Sequence, residues 1–170
     1  VLNGIGIGRG DRVAIVLPNG PEMAAAFIAV GAGASTAPLN PGYRADELEF
    51  YLNDLNAKAL IVLQGDDTPA AQVAKDHNIP VLVLSSPADG PAGFFTLDTS
   101  DGTTGAPVNG GMSEPDDEGL VLHTSGTTSR PKVVPLLNRN LAASAQNIAS
   151  TLSLTPEDIG LNIMPMFHIH

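Results

Sequence analysis

Thr124, Ser125, Thr127 and Thr128 put four hydroxyls around Gly126, and Arg130 and Lys132 follow with two positive charges. The stretch runs Leu122-His123-Thr124-Ser125-Gly126-Thr127-Thr128-Ser129-Arg130-Pro131-Lys132. Hydroxyls and backbone N–H groups donate, a glycine admits close approach, and a nearby ammonium adds charge. Together they suit a polyanionic group such as a nucleotide polyphosphate. Gly119 to Leu122 reads as a short buried strand and Asn138 to Ser153 as a helix, so a loop lies between them. The spacing is not that of a Walker-type loop, which needs a second glycine directly before the lysine and a hydroxyl after it. Here Val133 follows Lys132. Taken alone, a loop rich in Ser, Thr and Gly is more often a surface turn.

The order of these residues resembles the phosphate-binding motif of the adenylate-forming superfamily, whose members include acyl-CoA synthetases, amino-acid adenylation domains and luciferases. The usual form there is Thr-Ser-Gly-Thr-Thr-Gly-x-Pro-Lys-Gly. Ser129 and Val133 stand where that motif has glycine, and both side chains would be strained at a positive φ, the β-branched valine more so. The variant Thr-Thr-Ser-Arg-Pro-Lys looks like the oxalate–CoA ligase branch. Val133 is expected to shift the exit from the loop and with it Lys132. Three further segments match in order. Gly10 to Ile15 with Pro18-Asn19 resembles the first core motif of the superfamily. Gly31 to Pro41, continued by Tyr43 to Leu48, resembles the second, and Met164-Pro165-Met166-Phe167-His168 resembles the Pro-x-Phe/Tyr-His segment.

The resemblance implies an AMP-forming acid–CoA ligase that uses ATP, Mg²⁺ and CoA with a small carboxylic acid. Residues 1–170 would be part of its N-terminal, AMP-binding domain, with both ends cut and the C-terminal domain absent. Thr124, Ser125, Gly126, Thr127, Thr128, Ser129 and Lys132 would bind the nucleotide phosphates, with Lys132 catalytic. His168 would be the second catalytic residue, in the acyl-binding wall near the α-phosphate, with Phe167 beside it. The glutamate for Mg²⁺, the ribose-binding aspartate and the lysine of the C-terminal domain belong to later parts of such enzymes, so the isolated chain is expected to be inactive. Three alternatives stay open: a non-catalytic phosphate-binding module, a carrier-protein-loading adenylation domain, and, poorly, a P-loop kinase.

Other readings of single residues are weaker. His168-x-His170 could offer two rings to a metal on one face of a strand, but no third ligand is close in sequence, so no metal site is assigned. His123 is expected to be structural, filling space at a strand end, and His77 to lie on the surface. The run Gly4-Ile5-Gly6-Ile7-Gly8-Arg9-Gly10 misses the dinucleotide-binding register and precedes its strand instead of following it.

Composition limits the classes. Eight Lys and Arg against eighteen Asp and Glu give a net charge of −10, which argues against a nucleic-acid-binding face. Asp116-Asp117-Glu118 reads as a solvated turn facing away from the phosphate loop. The absence of cysteine from this segment excludes disulfides and thiolate chemistry within it. No apolar run approaches the roughly 18 residues that would span a bilayer. A soluble cytoplasmic protein is expected, with a peroxisomal location as the alternative in a eukaryote.

The elements that must position the loop alternate. Strands are expected at Arg12 to Leu17, Thr36 to Leu39, Ala59 to Leu63 and Val81 to Leu84, because these runs are aliphatic and bounded by turn residues. Helices are expected at Glu22 to Val30, Ala45 to Asn56 and Pro69 to Asp76, the second with Leu48, Tyr51, Leu52 and Leu55 on one face. This rhythm predicts an α/β fold, a mostly parallel sheet with helices on both faces. Residues 85–117 read as a Gly/Pro-rich connector with one short strand, Phe94 to Leu97.

Overall fold

The computed structural model describes residues 1–99, 102–124 and 131–168. The described strands form one seven-stranded sheet in the order β5-β4-β3-β1-β2-β6-β7. They are β1 (Arg12–Val16), β2 (Ser35–Pro38), β3 (Ala59–Leu63), β4 (Val81–Ser85), β5 (Thr96–Thr99), β6 (Glu118–Thr124) and β7 (Lys132–Leu137). The inner pairs β4-β3, β3-β1, β1-β2 and β2-β6 are parallel, and β5 and β7 close the two edges antiparallel. The expected mostly parallel sheet is therefore present, and it holds the connector's short strand, found two residues later than the sequence suggests.

Alternation along the inner strands feeds two cores, one on each face. Ala14 and Val16 of β1 join Leu60 and Val62 of β3 beneath α2 (Ala45–Leu55) and α3 (Ala70–Asp76). Val13 and Ile15 join Ala59 and Ile61 on the opposite face, beneath α1 (Pro21–Gly31). In α2, Leu48, Leu52 and Leu55 are buried at the i, i+4, i+7 spacing of one helical face. The helix opens with the Arg44 N–H donating to the Glu47 carboxylate at 3.0 Å. It ends at Asn56 in the left-handed region, φ 51°. Pro21 takes the first helical position of α1, where its missing N–H costs nothing.

The glycines before β1 form a seat for the connector. The Gly105 N–H donates to the Gly4 carbonyl at 2.9 Å and the Arg9 N–H to the Asn109 carbonyl at 2.7 Å. Gly8 is buried against the Asn109 carbonyl, leaving no room for a side chain there. The connector thus crosses beside the sheet, and β6 enters next to β2 on the far side of β1.

The sequence reading missed β7. Val133, Val134, Leu136 and Leu137 have strand character, but Pro135 interrupts them. An edge position tolerates a proline because the absent N–H can face away from the ladder. The reading of Asp116-Asp117-Glu118 as a solvated turn is corrected in part. Asp116 is exposed and pairs with Arg139. Asp117 accepts from Arg9 Nε at 2.6 Å, and Glu118 takes Arg12 Nε at 2.7 Å and Nη2 at 2.8 Å. Three successive acidic residues after Pro115 made the triplet look like a turn, whereas arginines more than a hundred residues earlier draw two of its carboxylates inward. All three lie at the start of β6, the opposite end from Thr124.

Candidate phosphate-binding site

Parallel strands share one carboxyl edge, and in open α/β sheets ligands bind there, where successive crossovers run to opposite sides. In this sheet the chain passes from β1 to β2 over one face by α1, then from β2 back to β3 over the other by α2. The carboxyl end of β6 lies beside that reversal. Thr124 is its last residue, and β7 leaves the same edge with Lys132 directly opposite Thr124. Residues facing each other across an antiparallel pair share a face. The hydroxyl of Thr124 and the stem of Lys132 therefore lie on one side, with Lys132 exposed. Ser125, Gly126, Thr127, Thr128 and Ser129 lie outside the described residues, as do Arg130 and His170.

The same face carries Leu120 and Leu122 of β6 and Leu136 of β7, which floor a groove of about 340 Å³. Phe27 of α1 walls one side and Leu141 of α4 (Asn138–Thr151) the other, and Met166 and His168 sit at its rim. Four of the expected site residues can be located: Thr124 and Lys132 on the sheet edge, and His168 with its neighbour Phe167 in a turn beside the groove. The His168 N–H donates to the Pro165 carbonyl at 3.1 Å. The strand that would align His168 with a second ring is thus a turn at His168. Among the described residues no three His, Asp or Glu side chains gather as a ligand set.

Asn19 is a residue whose role the sequence reading did not foresee. Its amide Nδ2 donates to the Met164 carbonyl at 3.1 Å, and its Oδ1 accepts from the Met166 N–H at 3.0 Å. One side chain just past β1 therefore holds the segment that presents His168. The first and last of the matched motifs both contain partners in this contact, which was the available signal.

On the other face of β6, His123 behaves as expected of a packed ring and also carries polar contacts. Its side chain is 7% exposed and Nε2 lies 3.0 Å from Asp54 Oδ2 of α2. Tyr51 meets the ring edge-on at 4.6 Å between centroids, and Tyr43 stacks on Tyr51 at 4.7 Å. Burial depresses the His123 pKa, outweighing the Asp54 carboxylate, and Arg12 adds to the depression. Burial and the Tyr51 hydroxyl hold the Tyr43 phenol far above its ordinary value. His77 is half-buried, with Nε2 3.2 Å from Glu49 Oε1.

Val133 resolves differently from its expected effect. Among the described residues only Asn56, Asn78 and Ser153 are non-glycines with positive φ. Val133 is an ordinary strand residue, directly opposite His123, and packs against the core beneath α2. Its exit from the loop is the ladder itself, in register with Thr124 and Lys132.

Comparison with known proteins agrees with this geometry. The family described as AMP-binding enzyme matches residues 1–170. An oxalate–CoA ligase of Arabidopsis thaliana is 39% identical over 171 residues, covering 100% of this chain and 33% of that protein. An oxalate–CoA ligase of Saccharomyces cerevisiae is 37% identical over 183 residues, covering 95% of this chain and 34% of its own. The crystal structure of ATP-bound MatB from Rhodopseudomonas palustris superposes with a TM-score of 0.73 at 28% identity, over 96% of this chain and 32% of that one. The chain thus spans about a third of the length of the relatives it matches. With its parallel sheet, its hydroxyl-bearing strand end and its match along the whole length, the chain belongs to the AMP-binding enzyme family of the adenylate-forming superfamily, close to the oxalate–CoA ligase-like branch.

Proposed function

We propose that this chain is the phosphate-binding portion of the N-terminal domain of an ATP-dependent carboxylic acid–CoA ligase. The register of Thr124 against Lys132 supports the reading most directly. It brings a hydroxyl and an ammonium to one face at the carboxyl edge of the sheet. A hydroxyl and an ammonium fit an anionic phosphate, and the ammonium of Lys132 has no lone pair to offer a divalent cation. By the resemblance, a glutamate of a later segment would hold Mg²⁺, and CoA would be met by parts beyond these residues.

A carboxylate attacking the α-phosphorus of ATP meets an anion, and the leaving pyrophosphate carries more charge. Lys132 and the hydroxyls of Thr124, Ser125, Thr127, Thr128 and Ser129 would offset that charge, and Gly126 would admit the backbone close to the phosphates. His168, on the rim of the apolar groove, would stand at the acid. Met166 and Leu122 would shield that end from water. The ATP bound in MatB and the oxalate–CoA ligase relatives support a nucleotide and an acid as the substrates. A protein of this kind would work in the cytoplasm or the peroxisomal matrix. Among the described residues no helix is long and apolar enough to cross a membrane.

The test is ATP–pyrophosphate exchange by the complete protein with oxalate and with small aliphatic and aromatic acids. Exchange that depends on the acid, followed by thioester on adding CoA, is the expected result. ADP as the product, or no exchange with any acid, would refute the ligase reading, and acyl transfer to a carrier protein in place of CoA would redirect it.

A further inference from the structure

We propose that His123 and Asp54 form a positioning device that sets the carboxyl end of β6, and with it Thr124 and Lys132, for the nucleotide phosphates. The proposal rests on the ligase reading above and adds residues outside the phosphate motif to it. His123 is the residue immediately before Thr124, on the opposite face of the strand. Its ring is enclosed on three sides. Tyr51 of α2 meets it edge-on, Val133 lies opposite it on β7, and Asp54 of α2 takes its Nε2 at 3.0 Å. A carboxylate only accepts, so Nε2 carries the proton in this contact.

The geometry makes the contact directional. Stacking and burial alone would leave the ring free to turn within its slot. The hydrogen bond to a residue near the end of α2 removes that freedom and ties the strand end to a helix whose Leu48, Leu52 and Leu55 are fully buried. Thr124 is covalently next to the tied residue, and Lys132 is held opposite Thr124 by the ladder. A displacement of His123 thus moves both candidate phosphate ligands together. Among the described groups, those facing the ring from the packed elements are Asp54 and Tyr51 of α2, Arg12 of β1 at longer range, and the apolar Val133. Asp54 is the one described group the structure shows hydrogen-bonded to the ring.

The experiment uses the complete enzyme and measures ATP KM and kcat in acid-dependent pyrophosphate exchange, CoA KM in the thioester-forming half-reaction, and thermal midpoint. His123→Phe keeps the edge contact with Tyr51 and removes the hydrogen bond. Asp54→Ala removes it from the other side, and Asp54→Asn keeps an acceptor. The expected result is a rise in ATP KM of about fivefold to tenfold for His123→Phe and for Asp54→Ala, within the range of one lost ordinary hydrogen bond. CoA KM stays unchanged, Asp54→Asn stays within about twofold of the parent, and the double variant is no worse than either single one. Unchanged ATP KM, additive effects, or a parallel fall of every constant with the thermal midpoint would each overturn the proposal. Absence of exchange in the parent enzyme would instead refute the ligase reading, and this proposal with it.

Discussion

Replacing Glu118 by glutamine perturbs the junction where β6 enters the sheet. The carboxylate receives three hydrogen bonds, from Arg12 Nε at 2.7 Å, Arg12 Nη2 at 2.8 Å and Ser35 Oγ at 2.9 Å. The amide keeps one acceptor and turns an NH₂ group toward the guanidinium, so at least one bond is lost and the charge is removed. Bonds to charged groups contribute about 1.5–3 kcal/mol each when shielded. The side chains of Arg12 and Glu118 are 27% and 18% exposed, so solvent screens part of that. The expected loss is about 2 kcal/mol, or a urea midpoint lower by about 1 M at the slope usual for such a chain. pH supplies the control. Burial opposes ionisation of Glu118, but the Arg12 and Ser35 hydrogen bonds and the Arg12 charge outweigh it and hold the pKa below its ordinary 4.5. A depressed carboxyl stabilises the fold fully above the unfolded value and loses that contribution as pH falls through the folded one. The gap between parent and Glu118→Gln in urea denaturation should therefore be constant from pH 7 to about 5 and narrow at lower pH. A gap under about 0.5 kcal/mol at neutral pH, or one that widens on acidification, would refute the argument.

Three further expectations follow from particular contacts. Lys132→Ala in the complete enzyme should slow single-turnover adenylation about tenfold to a hundredfold while slowing thioester formation much less, because the lost charge would face the phosphates; equal slowing of both halves would count against that role. Val133→Gly, which restores the residue usual in the motif, should lower stability by about 2 kcal/mol in urea denaturation, since it removes a half-buried side chain and loosens a strand residue. A gain in stability would mean that the valine is strained after all. Gly8→Ala should cost about 1–3 kcal/mol and expose the 105–110 segment to limited proteolysis, because a methyl group there meets the Asn109 carbonyl; unchanged protection would show that the seat can shift without loss.

The inner strands were legible in the sequence because burial on both faces demands continuous aliphatic runs, and β1, β3 and β4 have them. α2 was legible because Leu48, Leu52 and Leu55 repeat at the helical period. The candidate phosphate motif was legible through the order of its residues, which resembles the superfamily's motif; hydroxyls, glycine and lysine alone would more often be a surface turn. Strand β7 was not, since Pro135 masks an edge strand whose only requirement is one neighbour. The inward turn of Asp117 and Glu118 was not, because a carboxylate's environment depends on which arginine the fold brings to it. His123 could be read as a packed ring, but its hydrogen bond to Asp54 joins residues far apart in the chain. The amino-acid sequence by itself determined the alternating elements, the family and the residue types of the candidate phosphate loop, all of which are set by short-range pattern. Only the tertiary structure decided that Lys132 stands opposite Thr124, that Asn19 holds the His168 segment and that Val133 is unstrained, because each is a matter of register between segments whose spacing along the chain carries no record of it.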